Sequence, residues 1–303
     1  MKFVVTGATS FLGIELCKYI IAQKDEVYAV CRKGSVKSSQ LHQSPLLHII
    51  YSDMSDYYHL DELIGNADVF INLAWNGTGH SGRDNSKIQE DNKMDCHQAM
   101  KAAHKMGCFL FVETGSQAEY GTVLEKISED TPCHPFSEYG KAKLEVKELG
   151  FAFAEQTGMK YMHLRIFSLF GEHDHSWTLI MSCLSKMKKN VSIDLSSCDQ
   201  NWNFLHVEDA AKQVYNLCIY AQNRSDFKHE VYNIASEYTR KLKEFVNQMK
   251  SLTNSKSQLN YGVIKPVNIV SLNPDVSKTK NAINFIADHQ FENDIINIYN
   301  IIQ

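Results

Sequence analysis

The chain opens on a short apolar run, Lys2-Phe3-Val4-Val5-Thr6. Gly7-Ala8-Thr9-Ser10-Phe11-Leu12-Gly13 follows at once, and residues 14–21 then carry apolar side chains at helical spacing. Strand, glycine loop and helix in that order constrain the fold more than any other feature. A helix beginning there aims its free amides and the positive end of its dipole at the loop, which suits a pyrophosphate. Gly7 permits the tight turn, and Gly13 lets the helix pack closely on the sheet. An ordinary strand-to-helix turn has the same order, but a glycine loop in this context favours nucleotide binding.

The pattern then repeats. Strands are expected at 26–31, 46–51, 68–74, 109–113 and 160–167, and helices at about 58–65, 86–106 and 137–157. Strands alternating with helices predict an α/β fold, a doubly wound parallel sheet of the Rossmann kind. Beyond residue 170 the pattern loosens. A helix is expected at 176–189, and Trp202 to Asp209 is read as the opening of a helix running to about 221. A strand is expected at 230–235, and Thr239 is read as the cap of a helix to 251. The tail from 258 reads as a strand, a loop with Pro266 and Pro274, and two short helices. We therefore expect a dinucleotide-binding domain over 1–169 with a returning segment 205–235. A smaller substrate-binding domain, 170–204 and 236–303, would lie over the carboxyl edge of the sheet, with the ligand in the crevice between them.

Tyr139 and Lys143 are four residues apart in the helix expected from 137, which puts both on one face. A tyrosine hydroxyl has a reference pKa of about 10. A lysine ammonium beside it favours the phenolate and brings the group toward working range. The pair is sensible acid-base equipment for interconverting a carbonyl and an alcohol. The net charge of −4 gives no general basic field for nucleic acid or an acidic membrane surface. No apolar run approaches the ~20 residues that span a bilayer. The N-terminus runs straight into a strand and does not read as a signal peptide. The eight cysteines are scattered, with no CxxC, so a reducing cytoplasm without disulfides or a metal site is expected.

Several stretches together resemble the extended short-chain dehydrogenase/reductases, the NAD-dependent epimerase/dehydratase family. They are Thr6 to Gly13, Ser52-Asp53-Met54, Leu73-Ala74, Asn92, Gly115-Ser116-Gln117-Ala118-Glu119-Tyr120-Gly121, Tyr139 to Lys143, and Arg165-Ile166-Phe167-Ser168-Leu169-Phe170-Gly171. The resemblance covers most of the chain to about residue 236 and fades in the tail. It implies that Tyr139 is the acid-base, that Lys143 also holds the nicotinamide ribose, and that Ser116 hydrogen-bonds the substrate oxygen. It places Gly7, Thr9, Ser10, Phe11, Leu12 and Gly13 around the cofactor, Asp53 and Met54 at its adenine, and Leu73, Ala74, Trp75, Thr114 and Phe167 along it, with Asn92 as a positioning residue. Gly77, Arg83, Gln117 and Ser168 are candidate substrate contacts, and Trp202 and Arg240 are added to them on the chemistry of their side chains. It also implies a homodimer built on the helices at 86–106 and 137–157, to which Phe151 and Phe153 would contribute apolar surface.

The departures are informative. Ser10 stands where the family's GxxGxxG has its middle glycine, and Ser168 where RxxNxxG has asparagine. The family's dehydratases carry an Asp-Glu pair where this chain has Gln117 and Ala118, so no acid and base remain there to eliminate water. The run from Gly115 to Gly121, with Trp75 and Arg83, is most similar to the nucleotide-sugar 4-ketoreductases, of the CDP-abequose synthase type. The second strand ends Ala29-Val30-Cys31 without a carboxylate, and Arg32 and Lys33 follow. An acid there would bind a ribose 2′-hydroxyl and repel a 2′-phosphate. Two cations suit the phosphate, so NADP(H) is expected over NAD(H). The alternatives are a C4-epimerase that retains NAD and a cofactor-binding regulator. His173-Asp174-His175 reads as a polar loop. Lys186, Lys188 and Lys189 suit the end of a helix, with a substrate diphosphate as their other reading. Trp177 and Trp202 could stack on a base or simply pack.

Overall fold

The computed structural model describes residues 1–79, 81–265 and 270–302; Pro266 lies outside them. The first half alternates strands and helices: β1 (Lys2–Thr6), α1 (Phe11–Ala22), β2 (Glu26–Cys31), β3 (Leu47–Tyr51), α2 (Leu60–Ile64), β4 (Val69–Asn72), α3 (Ser86–Lys105), β5 (Leu110–Ser116), α4 (Glu138–Thr157) and β6 (Lys160–Ile166). The second half comprises β7 (Ser168–Phe170), α5 (Leu179–Lys188), β8 (Ile193–Asp194), β9 (Asn201–His206), α6 (Val207–Gln222), β10 (His229–Ile234), β11 (Thr239–Lys241), α7 (Leu242–Leu252), β12 (Leu259–Asn260), α8 (Ser277–Ile283) and α9 (Phe291–Ile301).

Seven strands form one sheet in the order β10-β6-β5-β4-β1-β2-β3, every pair parallel. Parallel strands need crossovers, and the helices that provide them cover both faces. On one face α1 and α6 bury Leu16, Ile20, Val214 and Leu217 against Phe3, Val5 and Ile71. On the other, α3 and α4 bury Ala99, Met100, Ala103 and Val146 against Val4, Phe70 and Phe111. Gly150 brings α4 close to the sheet: a Cβ there would lie 2.0 Å from the Tyr161 ring.

Two expectations are corrected. Trp202 to His206 does not open a helix. It is strand β9, paired with β7 and β11, and the helix starts at Val207 behind the His206 side chain, which accepts from the Glu208 amide. Thr239 is not a cap. It lies in β11, its hydroxyl accepts from the Asn203 side chain at 3.1 Å, and α7 starts at Leu242. A separate apolar cluster joins α5, α7 and α9 through Leu184, Met187, Phe245, Met249, Ile295 and Ile298.

The tail is tied back at His289. Its ring stacks on that of His206 with centroids 3.6 Å apart. Its two nitrogens face Asp294 at 3.0 Å and Glu208 at 3.2 Å. Asp209 accepts the backbone amides of Asp288 and His289. Burial pulls the His289 pKa down, but the hydrogen bond and charge of Asp294, with Asp209 and Glu208, more than offset it, and the value is raised. Burial and the His289 charge together depress His206 to about 4. His206, His289 and Asp294 are the grouping of metal-ligand types found among the described residues. The two rings are parallel to within 14°, so their lone pairs do not converge on one point.

A histidine whose folded pKa is raised stabilises the fold fully below its unfolded value of about 6.5, and that contribution disappears as pH rises through the folded value. His289→Asn should therefore lower Tm more at pH 6 than at pH 9, by thermal denaturation. Equal losses at both pH values would show that the charge of His289 does not hold the tail.

Candidate active site

The site lies at the carboxyl ends of the parallel strands. Gly7 has φ +63°, and a Cβ on it would meet Leu73 and Ala74 backbone atoms at 2.9 Å. A Cβ on Gly13 would lie 2.3 Å from the Gly7 carbonyl oxygen. Both glycines are required by these close approaches. Ser10 caps α1, its hydroxyl accepting from the Gly13 amide at 3.1 Å. A cavity of about 490 Å³ opens above this loop, lined by Gly7, Thr9 and Ser10, by Arg32 to Lys37, by Ser52, Asp53, Met54 and Tyr57, and by Leu73 to Asn76. Its size, its helix N-terminus and its missing Cβ atoms fit a dinucleotide. Asp53 accepts from the Lys33 amide at 3.3 Å, and Arg32 donates to the Asn76 side chain at 3.0 Å. Asn92 is buried and clamps Asn76, accepting from its amide and donating to its carbonyl, both at 2.9 Å. Phe11 and Leu12 begin α1 and do not line this cavity. Ser35, Lys37, Tyr57 and Asn76 line it and were not singled out in the sequence. Their side chains follow no motif, and only the fold gathers them, from the segments after β2, β3 and β4.

The second half of the site begins where β5 ends. The Ser116 amide donates to Glu119 at 2.7 Å, and its hydroxyl accepts from the Ala118 amide at 3.2 Å. Gln117 opens the short 3-10 turn that follows, and Ala118 is buried in it, so neither position carries a carboxylate. Ser137 caps α4 and delivers Tyr139 in the first turn, whose amide donates to the Arg83 carbonyl at 2.8 Å. The Arg83 guanidinium lies 4.7 Å from the centre of the Tyr139 ring. Trp75 meets that ring edge-on at 6.1 Å. Gly77 has φ +70° and packs on Gly82, which folds the Arg83 loop back.

Lys143 follows Tyr139 one turn further along α4. Its ammonium is buried, 3.1 Å from Glu113 and 2.6 Å from the Thr114 carbonyl, and 3.5 Å from the centre of the Trp75 ring. Glu113 was not singled out in the sequence, where it reads as the polar end of an apolar strand. Glu119 stands in the quoted motif without a role there. It is buried, bonded to His163 at 2.9 Å and Arg165 at 2.8 Å. Burial alone would raise its pKa, but the charges and hydrogen bonds of His163 and Arg165 take it down to about 2. The network fixes the turn beneath Ser116. A Cβ on Gly115 would strike His163 and Glu119 at 2.2 and 2.4 Å, which explains the glycine.

The remaining candidates are more dispersed. Ser168 sits in β7, and Phe167 packs against Tyr120. Trp202 packs between two apolar clusters. Trp177 is exposed and stacks on His175. Arg240 stacks on Phe245 and pairs with Glu292 and Gln248 at a different cavity, of about 530 Å³. Lys188 donates to tail carbonyls of Tyr299 and Ile302.

The model of the NAD-dependent epimerase/dehydratase family matches residues 3–235. The chain belongs to this family. Its parallel sheet is the fold the resemblance implied, and its relatives support a nicotinamide-dependent oxidoreductase. It is 24% identical over 266 residues to the dTDP-6-deoxy-L-talose 4-dehydrogenase (NAD(+)) of Aggregatibacter actinomycetemcomitans, covering 87% of this chain and 94% of that one. It is 21% identical to the CDP-abequose synthase of Yersinia pseudotuberculosis, covering 82% and 85% of the two chains. Among solved structures it superposes on the UDP-N-acetylglucosamine 4-epimerase of Methanobrevibacter ruminantium with a TM-score of 0.87 at 20% identity, over 99% of this chain and 97% of that one. The UDP-glucuronic acid 4-epimerase of Bacillus cereus in complex with NAD gives 0.85 at 19%, over 99% and 98%. No helix among the described residues is long and apolar enough to cross a membrane.

Gly13→Ala tests the nucleotide loop. The added methyl must push the Gly7 carbonyl away, and overpacking of this kind costs about 1–3 kcal/mol. Affinity for NADH and NADPH, followed by protein fluorescence, should fall roughly five- to 150-fold if that strain is relieved in the unliganded state. Unchanged affinity would place the dinucleotide elsewhere.

Proposed function

We propose that this enzyme reduces the 4-keto group of a nucleotide-linked deoxysugar, with NADPH as reductant, for glycan or surface-polysaccharide biosynthesis. The observation that carries the reading is the pairing of Ser116 and Tyr139 with Gln117 and Ala118. The hydroxyls that manage a carbonyl oxygen are present, and the carboxylates that would eliminate water are absent. The relatives named as a 4-dehydrogenase and as abequose synthases support the same reaction class.

In this reading a bound nicotinamide supplies hydride to the carbonyl carbon. Ser116 and Tyr139 hold the carbonyl oxygen by hydrogen bonds, and Tyr139 gives that oxygen its proton as the alcohol forms. Lys143 orients the cofactor ribose. Arg83 and Gly77 border the sugar beside Tyr139. The segments 170–204 and 236–303 form the lobe that binds the rest of the nucleotide-sugar, with 1–169 and 205–235 as the dinucleotide-binding body. For the cofactor, Arg32, Lys33 and Lys37 surround the mouth of the cavity, and no acid ends β2. Lys33 is paired with Asp56 at 2.6 Å, which leaves Arg32 and Lys37 as the better placed cations for a 2′-phosphate. The enzyme acts in the cytoplasm as a homodimer through α3 and α4. Phe151 and Phe153 turn onto Tyr161, His229, His97 and His104, so the apolar surface offered there is Met94 and Leu149.

The direct test is NADPH oxidation with a panel of nucleotide-linked 4-keto-6-deoxysugars. Tyr139→Phe should lower turnover by about 10² to 10⁴. A near-normal kcat in that variant would remove Tyr139 from the chemistry. Native enzyme should show a higher kcat/KM for NADPH than for NADH, and Arg32→Ala should erode that preference by roughly five- to 150-fold. A native preference for NADH, as in the name of the talose 4-dehydrogenase, would refute the NADPH reading. Turnover without added cofactor and without net oxidation would instead indicate a C4-epimerase.

A further inference from the structure

Gln89 is buried in α3, one turn before Asn92. Its side chain makes two opposed hydrogen bonds. Its Oε1 accepts the Trp75 indole N–H at 2.8 Å, and its Nε2 donates to the Gly82 carbonyl at 2.9 Å. An indole nitrogen can only donate and a carbonyl can only accept, so the amide has a single orientation. The Asn92 side chain donates to the same Oε1 at 3.4 Å. Asn92 also clamps the backbone of Asn76, so the two side chains together pin the chain between β4 and α3 at Trp75, Asn76 and Gly82.

Both partners of Gln89 lead to the helix that carries Tyr139 and Lys143. The Trp75 ring lies 3.5 Å from the Lys143 ammonium and meets the Tyr139 ring edge-on at 6.1 Å. Arg83 follows Gly82. Its carbonyl accepts the Tyr139 amide at 2.8 Å, and its guanidinium lies 4.7 Å from the centre of the Tyr139 ring. We propose that Gln89 is a positioning residue for the reaction: its one amide holds Trp75 on Lys143 and the Gly82–Arg83 turn on Tyr139. The inference rests on the reading of Tyr139 as the acid and of Lys143 as the holder of the cofactor ribose. Gln89 does not line the cofactor cavity and Trp75 does, so Gln89 acts through Trp75. An apolar side chain at this position would leave the Trp75 N–H and the Gly82 carbonyl without this partner. An ionised glutamate could accept from Trp75 but could not donate to Gly82.

Gln89→Met keeps the length of the side chain and removes both hydrogen bonds. The full chain labelled with fluorotryptophan gives one fluorine NMR signal for each of its three tryptophans, and Trp75→Phe assigns the signal of Trp75. In Gln89→Met the Trp75 signal should shift and broaden while those of Trp177 and Trp202 stay in place. Affinity is then read by calorimetry with two probes: ADP-ribose, which carries the ribose that Lys143 would hold, and ADP, which lacks it. Gln89→Met should weaken ADP-ribose binding roughly two- to 12-fold, the effect of losing one hydrogen bond's worth of anchoring, and leave ADP binding unchanged. Gln89→Asn is too short to span both partners and supplies the same two readings if Gln89→Met does not fold. A Trp75 signal that does not move, or equal weakening of ADP and ADP-ribose as from a general loss of stability, would overturn the proposal. Native protein that binds neither probe would overturn the nicotinamide reading itself, and the proposal with it.

Discussion

A sheet of parallel strands covered by helices on both faces leaves no water for a polar side chain inside it, so each such group must find a partner in the sheet or on the helix above. Thr6, Asn72 and Glu113 meet that demand laterally, strand to strand, and end on Lys143, while His163 bonds Glu119, which also holds Arg165. The rest of the site hangs from it. Lys143 is fixed from below by Glu113, and the turn carrying Ser116 is fixed by Glu119. Removing one charge from such a buried pair costs about 3–5 kcal/mol, so the geometry around Ser116 and Lys143 is bound to the stability of the fold.

The two ends of the site are made by different physics. The nucleotide end depends on backbone approach: Gly7 against Ala74, and Gly13 against Gly7, distances at which no side chain fits. The chemical end depends on side chains whose positions are over-determined. Tyr139 is held at its amide by the Arg83 carbonyl and at its ring by Arg83 and Trp75. Trp75 is held in turn by Gln89 at 2.8 Å. Asn92 ties the loop after β4 to α3 and so links the two ends.

Much of this was legible in the sequence because it is local. The strand–glycine loop–helix opening, the strands through β6, the long helix over 86–105 and the helix bearing Tyr139 and Lys143 each announce themselves by periodicity, caps or glycine. What was misread depends on distant chain. Trp202 to His206 is a strand because β7 and β11 lie beside it, and Thr239 is used by Asn203 rather than by a helix. Glu113 and Glu119 were passed over because a single acid at the end of an apolar strand or within a turn has no local signature. Their partners Lys143, His163 and Arg165 stand 30, 44 and 46 residues away. The tail was least legible: His289 has meaning only against His206, Glu208 and Asp294.

Net reduction at a sugar carbon is read most directly by isotope transfer, without reference to rate. The enzyme is incubated with a nucleotide-linked 4-keto-6-deoxysugar and NADPH carrying deuterium at nicotinamide C4 in place of both hydrogens, and the product is analysed by mass spectrometry and proton NMR. A 4-ketoreductase places one deuterium in each product sugar, at C4, with one NADP+ formed for each. Product without deuterium, formed while the added NADPH stays unoxidised, would contradict it.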